Sequence, residues 1–202
     1  MVLIVVTGMP GAGSSTVIEE ALNLKLKGRE ESIVFKSMNY GDVMYETALE
    51  NGLVANRDGV RTLSGEKQRE IQMRACKKIS KMSENMNLIV DTHCTIKMPL
   101  GYLPGLPEPV LRELKPDQFV LIEATAEEIA ARRQKDKTRE RDAEAESSIE
   151  EHQFMNRAMS MAYACLTGAA VKIIENHDGA LDKAAEAFFV LINRLSESEP
   201  KP

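Results

Sequence analysis

Tryptophan is absent from this chain of 202 residues, and four tyrosines with five phenylalanines are all its aromatic side chains. Proteins that bind single-stranded nucleic acid stack bases on aromatic rings, so that class of function has little to build on. Cysteine is also scarce. Cys76, Cys94 and Cys165 form an odd set without a C-x-x-C pair, which disfavours a disulfide framework and a structural zinc site and leaves reduced, mostly buried thiols. The three histidines, His93, His152 and His177, do not stand at helical metal-ligand spacing. No apolar run approaches the ~20 residues needed to cross a bilayer. The opening Met-Val-Leu-Ile-Val-Val lacks the basic start and small-residue cleavage site of a signal peptide, so a cytoplasmic protein with no membrane partner is expected.

What is present is ordinary for a globular chain: 43% hydrophobic and 28% charged residues, at a length suited to one compact domain with local insertions. The net charge of -5 repels polyanions on average, which argues against a general nucleic-acid partner. The average hides a local concentration, because residues 132–141 carry six basic and two acidic side chains.

Short β-branched runs at 2–6, 33–35, 88–90, 119–122 and 171–174 do not alternate, which reads as five strands buried on both faces. Helical periodicity occupies 15–26, 42–51, 64–83, 126–133, 149–166 and 180–195. In the third of these, Ile71, Ala75, Ile79 and Met82 share one face. The alternation predicts an α/β fold, a five-stranded parallel sheet flanked by helices, with ligands at the carboxyl ends of its strands. Two segments break the rhythm. Residues 98–109 hold four of the eight prolines and are expected to form a turn-rich loop with neither helix nor strand. Residues 132–146 are a charge-dense insertion between helices, and the final S-E-S-E-P-K-P reads as a frayed tail.

The chemistry starts at Gly8, Met9, Pro10, Gly11, Ala12, Gly13, Ser14, Ser15 and Thr16, a glycine-rich stretch between the first strand and a helix. It matches the P-loop pattern G-x-x-x-x-G-K-[ST], except that Ser14 takes the lysine position. Backbone N–H groups and the helix N-terminus still make an anion nest, and Ser15 sits where a hydroxyl meets Mg²⁺. The missing part is the ammonium that reaches the outer phosphates. Leu88-Ile-Val-Asp91 is an apolar strand ending in a carboxylate, the Walker B arrangement for Mg²⁺, so Ser15 and Asp91 form the expected metal pair, partly through water. Arg57 and Arg61 are four apart and would share a helix face if that stretch is helical, as a phosphate clamp or a solvated surface.

Five further stretches, Asn39-Tyr-Gly-Asp42, Asn56-Arg-Asp58 with Arg61 beyond it, Asp91-Thr-His93, Gly101-Tyr-Leu-Pro-Gly-Leu-Pro107 and Thr138-Arg-Glu-Arg-Asp142, resemble archaeal adenylate kinases in order and spacing, across essentially the whole chain. The G-Y-L-P-G-L-P loop after D-T-H is the most specific part, and Ser14 is the chief departure. The resemblance implies a nucleoside-monophosphate-kinase fold with a short lid: one kinase domain over 1–202, with an AMP-binding segment near 39–84 and a lid near 132–146. It implies transfer of the γ-phosphoryl group of ATP to AMP, giving two ADP, with Mg²⁺ as cofactor and, in several members, a homotrimer.

Carried over residue by residue, the resemblance gives the ATP phosphates to Gly8 through Thr16. It opens the AMP pocket with Asn39, Tyr40, Gly41 and Asp42 and sets Arg57, with Arg61 second, on the AMP phosphate. Lys97 meets the acceptor phosphate, and Tyr102 to Pro107 shape the base pocket. Arg133, Arg139 and Arg141 become arginine fingers supplied in cis, with Ser15 as the fourth catalytic residue. Asn176 to Gly179 either touches the adenine or is a plain Asx turn. The acceptor phosphate is already a nucleophile, so no general base is nominated and Glu123 is read as structural. Two other functions remain open on the residues: a kinase for another monophosphate such as CMP or UMP, and a weakly active nucleotide-binding regulator, favoured by Ser14.

Overall fold

The central strands are built from residues that cannot stay in water, and they lie at the middle of the sheet. The computed structural model describes residues 1–28, 34–135 and 146–197. In chain order the elements are β1 (Leu3–Gly8), α1 (Ser14–Gly28), β2 (Phe35–Asn39), α2 (Tyr40–Glu50), α3 (Gly59–Thr62), α4 (Gly65–Ser83), β3 (Asn87–Thr92), β4 (Thr95–Met98), β5 (Gly101–Pro104), α5 (Glu108–Leu114), β6 (Gln118–Glu123), α6 (Ala126–Lys135), α7 (Glu146–Thr167), β7 (Ala170–Glu175) and α8 (Leu181–Glu197). Five strands form one sheet in the order β2-β3-β1-β6-β7, every pair parallel.

Successive side chains of a strand point to opposite faces, and the core divides accordingly. Ile4 and Val6 of β1, Ile89 of β3 and Val120 and Ile122 of β6 pack under α1, α6 and α8, beside Val17, Ile129 and Phe188. Leu3, Val5, Leu88, Val90 and Phe119 face the other way, toward Cys76 and Ile79 of α4, Leu111 of α5 and Tyr163 of α7. The helical stripe on α4 is as expected: Ile71, Ala75 and Ile79 are fully buried, Met82 packs against the core cluster that holds Ile79, and Ser64 caps the helix by accepting the Lys67 N–H at 3.3 Å. Truncating a buried ring such as Phe119 to alanine should cost about 3–5 kcal/mol.

Two expectations need correction. The outer strands β2 and β7 are not buried on both faces; Phe35 and Ile174 are their buried residues, because an edge strand has one covered side and an open rim. Residues 98–109 are not a loop throughout. Gly101–Pro104 pairs antiparallel with Thr95–Met98 as a two-stranded hairpin, and α5 starts at Glu108 after Pro107. Prolines fit there because Pro104 ends an edge strand and Pro109 stands in the first helical turn, neither needing an N–H. Gly105 follows the hairpin where a Cβ would lie 1.8 Å from the His93 carbonyl oxygen, so only glycine passes. Of the thiols, Cys76 and Cys94 are buried, and burial pushes each up to about 12, but Cys165 is exposed.

Candidate active site

The carboxyl ends of β1 and β3 bring the phosphate loop and Asp91 together, since the two strands are hydrogen-bonded neighbours with Val6 opposite Asp91. Met9 and Ala12 turn their side chains into the core, so residues 9–13 offer a ligand their backbone. Gly13 has φ +87° and lies so near Asn176 that a Cβ would stand 2.5 Å from its Nδ2, a position no other residue could take without displacing that amide. The first turn of α1 then presents two hydroxyls to one carboxylate: Ser14 Oγ donates to Asp91 Oδ1 at 3.1 Å and Ser15 Oγ to Oδ2 at 2.7 Å. The residue at the lysine position therefore points at the Walker B aspartate. Thr16, one residue on, is exposed.

The end of α6 is fastened onto the outside of this loop. Arg133 Nε donates to the Pro10 carbonyl at 2.6 Å. Arg132 reaches the carbonyls of Gly11 and Ala12 at 3.4 and 3.3 Å, that of Asn176 at 2.8 Å and Asp178 Oδ1 at 2.8 Å. Arg139 and Arg141 lie outside the described residues. The turn after β7 joins the same assembly, for Asn176 Nδ2 donates to the Ala12 carbonyl at 2.8 Å and its N–H to the Glu123 carbonyl at 2.7 Å. His177 stands between Glu128 and Glu175, at 3.0 and 3.3 Å, and these carboxylates raise its pKa. Glu128 is lowered to about 2, chiefly by His177, with further hydrogen bonds from the Asp178 and Thr125 N–H groups. The 176–179 segment is thus tied to α6 and to the phosphate loop.

On the other side of Ser15 and Asp91 a cleft of about 530 Å³ opens toward β2 and α2. Ile18, Leu22 and Met38 give it an apolar side, and Asn39, Asp42 and Arg57 a polar one. Asn39 caps α2, accepting the Asp42 N–H at 3.3 Å; Arg57 is ion-paired with Asp42, and both are about half exposed. Tyr40 does not line the cleft. It is buried against α4, where its hydroxyl donates to the Gln72 carbonyl at 2.8 Å and burial raises its pKa. An apolar ring at the start of α2 gains more from the core than from the rim. Gly41 lies beside the Asn39 amide and the Arg57 guanidinium.

Arg57 and Arg61 do not share a helix face, because α3 begins only at Gly59; Arg61 belongs to that short helix, and its side chain lies outside the described part. Lys97 and Tyr102 are cross-strand partners on the hairpin, neither lining the cleft. Lys97 meets Ser148 and lies 6.0 Å over the Tyr102 ring, which packs edge-on against His152 of α7 at 5.1 Å. Arg132 and Asn176 lie in stretches the sequence marks, as the start of the charge-dense insertion and of the N-H-D-G turn, but nothing local points to their contacts with Ala12, 120 and 164 positions away; Arg157, whose Nε binds the buried Glu123 at 2.9 Å, gives no local signal. Among the described residues no group of three His, Cys, Asp or Glu is placed to hold a metal.

Known proteins resemble this chain over most of its length. A family model described as an AAA domain matches residues 7–150. The adenylate kinase of Methanothermobacter thermautotrophicus is 55% identical over 91% of this chain and 95% of its own length. That of Methanopyrus kandleri is 55% identical over 96% of this chain and 98% of its own, and that of Methanocaldococcus jannaschii 53% identical over 91% and 94%. A solved structure of shikimate kinase from Acinetobacter baumannii in complex with shikimate superposes with a TM-score of 0.52 at 20% identity, covering 98% of this chain and 96% of that one, a likeness of fold.

Proposed function

The chain belongs to the archaeal adenylate kinases, a phosphotransferase family, and from that premise we propose how its own residues move the γ-phosphoryl group of ATP to AMP, giving two ADP. The observation that carries the proposal is the convergence of Ser14 and Ser15 on Asp91 at the boundary between the phosphate loop and the open cleft. ATP lays its phosphates along residues 8–16, where backbone N–H groups and the N-terminus of α1 supply positive potential. AMP enters the cleft with its phosphate toward Arg57, which exchanges Asp42 for a dianion, a stronger partner for a guanidinium.

Ser15 and Asp91 set a hydroxyl and a carboxylate side by side, hard oxygen donors that would suit Mg²⁺. Held there, the ion would supply charge neutralisation to the transferred group. A phosphate oxygen of AMP attacks the γ phosphorus as the bond to the β-phosphate oxygen breaks, so no side chain need remove a proton. The chain aligns the two phosphates and keeps water from taking the acceptor's place. In this proposal Arg133, leaving the Pro10 carbonyl, acts with Arg139 and Arg141 as charge on the transferred group, and Lys97 meets the acceptor phosphate while Tyr102 helps shape the base pocket, both from the hairpin beside the open cleft.

A coupled assay of ADP formation from ATP with AMP, CMP and UMP tests the reading. AMP should give the highest kcat/KM; preference for another monophosphate would reassign the acceptor, and ATP binding without turnover would favour the regulator. In the same assay Arg139→Ala and Arg141→Ala should each lower kcat more than ATP affinity.

A further inference from the structure

The loop that receives the phosphates lacks its lysine, and side chains from elsewhere hold the oxygens on its outer side. Pro10, Gly11 and Ala12 have consecutive carbonyls, and each accepts from a side-chain N–H: Pro10 from Arg133, Gly11 from Arg132, Ala12 from both Arg132 and Asn176. In a trans peptide the C=O of one residue and the N–H of the next point in opposite directions. Holding the Pro10 and Ala12 oxygens outward therefore turns the N–H groups of Gly11 and Gly13 toward the opposite, phosphate-binding side, while the Ala12 N–H closes a turn onto the Met9 carbonyl at 2.9 Å.

Arg132 can hold two of these carbonyls because the rest of its fork is fixed, Nη2 on the Asn176 carbonyl and Nε on Asp178 Oδ1, both at 2.8 Å. Its side chain is about three-quarters buried, so the contact is not a passing surface one. Ser14 cannot do this work, since its hydroxyl is directed to Asp91.

We propose that Arg132, supported by Asn176, is a positioning residue that sets the phosphate-binding shape of the loop from α6 and the β7–α8 turn, without replacing the charge that a lysine at position 14 would bring to the phosphates. The proposal rests on the adenylate kinase reading in one respect, that this loop holds the phosphate chain of ATP.

Isothermal titration of the full chain with Mg²⁺ and either ATP, inorganic tripolyphosphate or AMP, in wild type and variants, decides it. Tripolyphosphate has the phosphates without the base or sugar. Arg132→Ala should weaken ATP and tripolyphosphate alike, by about tenfold, and leave AMP within about twofold. Asn176→Ala, or Asn176→Ser if the first does not fold, removes a carbonyl donor without changing charge and should weaken tripolyphosphate by about threefold. Arg132→Lys keeps the charge, loses the fork and should remain several-fold weaker than wild type. Unchanged tripolyphosphate affinity in Arg132→Ala would overturn the proposal, as would full affinity in Arg132→Lys, which would leave charge alone as the cause. Equal loss of AMP binding would also overturn it, because the effect would then be general. A wild-type chain that binds neither ATP nor tripolyphosphate would remove the adenylate kinase reading itself, and this inference with it.

Discussion

In the proposed assignment ATP lies along the phosphate loop and AMP in the open cleft, and these two halves are built differently. On the ATP side, three consecutive carbonyls of the phosphate loop are held by Arg132, Arg133 and Asn176, and two serines are fixed on Asp91. On the AMP side a cleft of about 530 Å³ is lined by an exposed ion pair, Arg57 with Asp42, and a helix-capping amide, Asn39. On that assignment a prebuilt anion nest would meet a long polyphosphate without reorganising, whereas the acceptor side would have to exchange the Arg57–Asp42 ion pair for its ligand. Substrate binding should therefore order the second half far more than the first, a division suited to an enzyme that must not expose ATP to water before the acceptor is seated.

The largest effect should come from the seam between the halves. Asp91→Ala removes the acceptor of both serine hydroxyls and the proposed metal ligand, and kcat should fall by about 10²–10³-fold; a near-normal kcat in steady-state assays would mean that the seam is not where transfer occurs. Next, Arg57→Ala should raise KM for AMP about tenfold or more and leave KM for ATP nearly unchanged. An equal rise in both constants would break the separation of the two sides. Tyr40→Phe tests the boundary of the acceptor side: it loses the bond to the Gln72 carbonyl and should cost about 1 kcal/mol in denaturant unfolding, with no change in KM for AMP. A raised KM would return Tyr40 to the pocket.

The smallest effect is a pH dependence on the ATP side. His177 has a raised pKa, so its contribution is fully present below its ordinary value of 6.5 and is lost as pH rises through the raised one. Glu128 is lowered to about 2, so its contribution is present above its ordinary 4.5 and is lost as pH falls toward 2. The stability of wild type over His177→Gln should therefore be greatest between pH 4.5 and 6.5 and shrink toward alkaline pH. Thermal melts across pH check this, and a gap that widens above pH 8 would contradict it.

Much of the fold was legible because strand and helix patterns are local. The five sheet strands lie near their apolar runs, and the helices differ from their periodic stretches by a few residues at the ends. The errors were also local patterns read without their surroundings. The proline-rich stretch looked incompatible with a strand, yet a two-stranded hairpin has an edge where a missing N–H costs nothing. Tyr40 sits in a motif whose neighbours do line the cleft, yet its ring points the other way from the start of α2.

By itself the sequence determined the phosphate loop, the serine at its end, the aspartate closing an apolar strand and the alternation that makes a parallel sheet, because each depends on residues a few positions apart. The tertiary structure alone decided which way Ser14 faces, that Arg132 and Asn176 hold the loop, and that Arg57 waits on Asp42. Those contacts join residues 77, 120, 164 and 15 positions apart. A helix end or a turn offers many side chains to its surroundings, and only the placement of β6 between β1 and β7, with α6 packed on the same core, selects the ones that meet the loop.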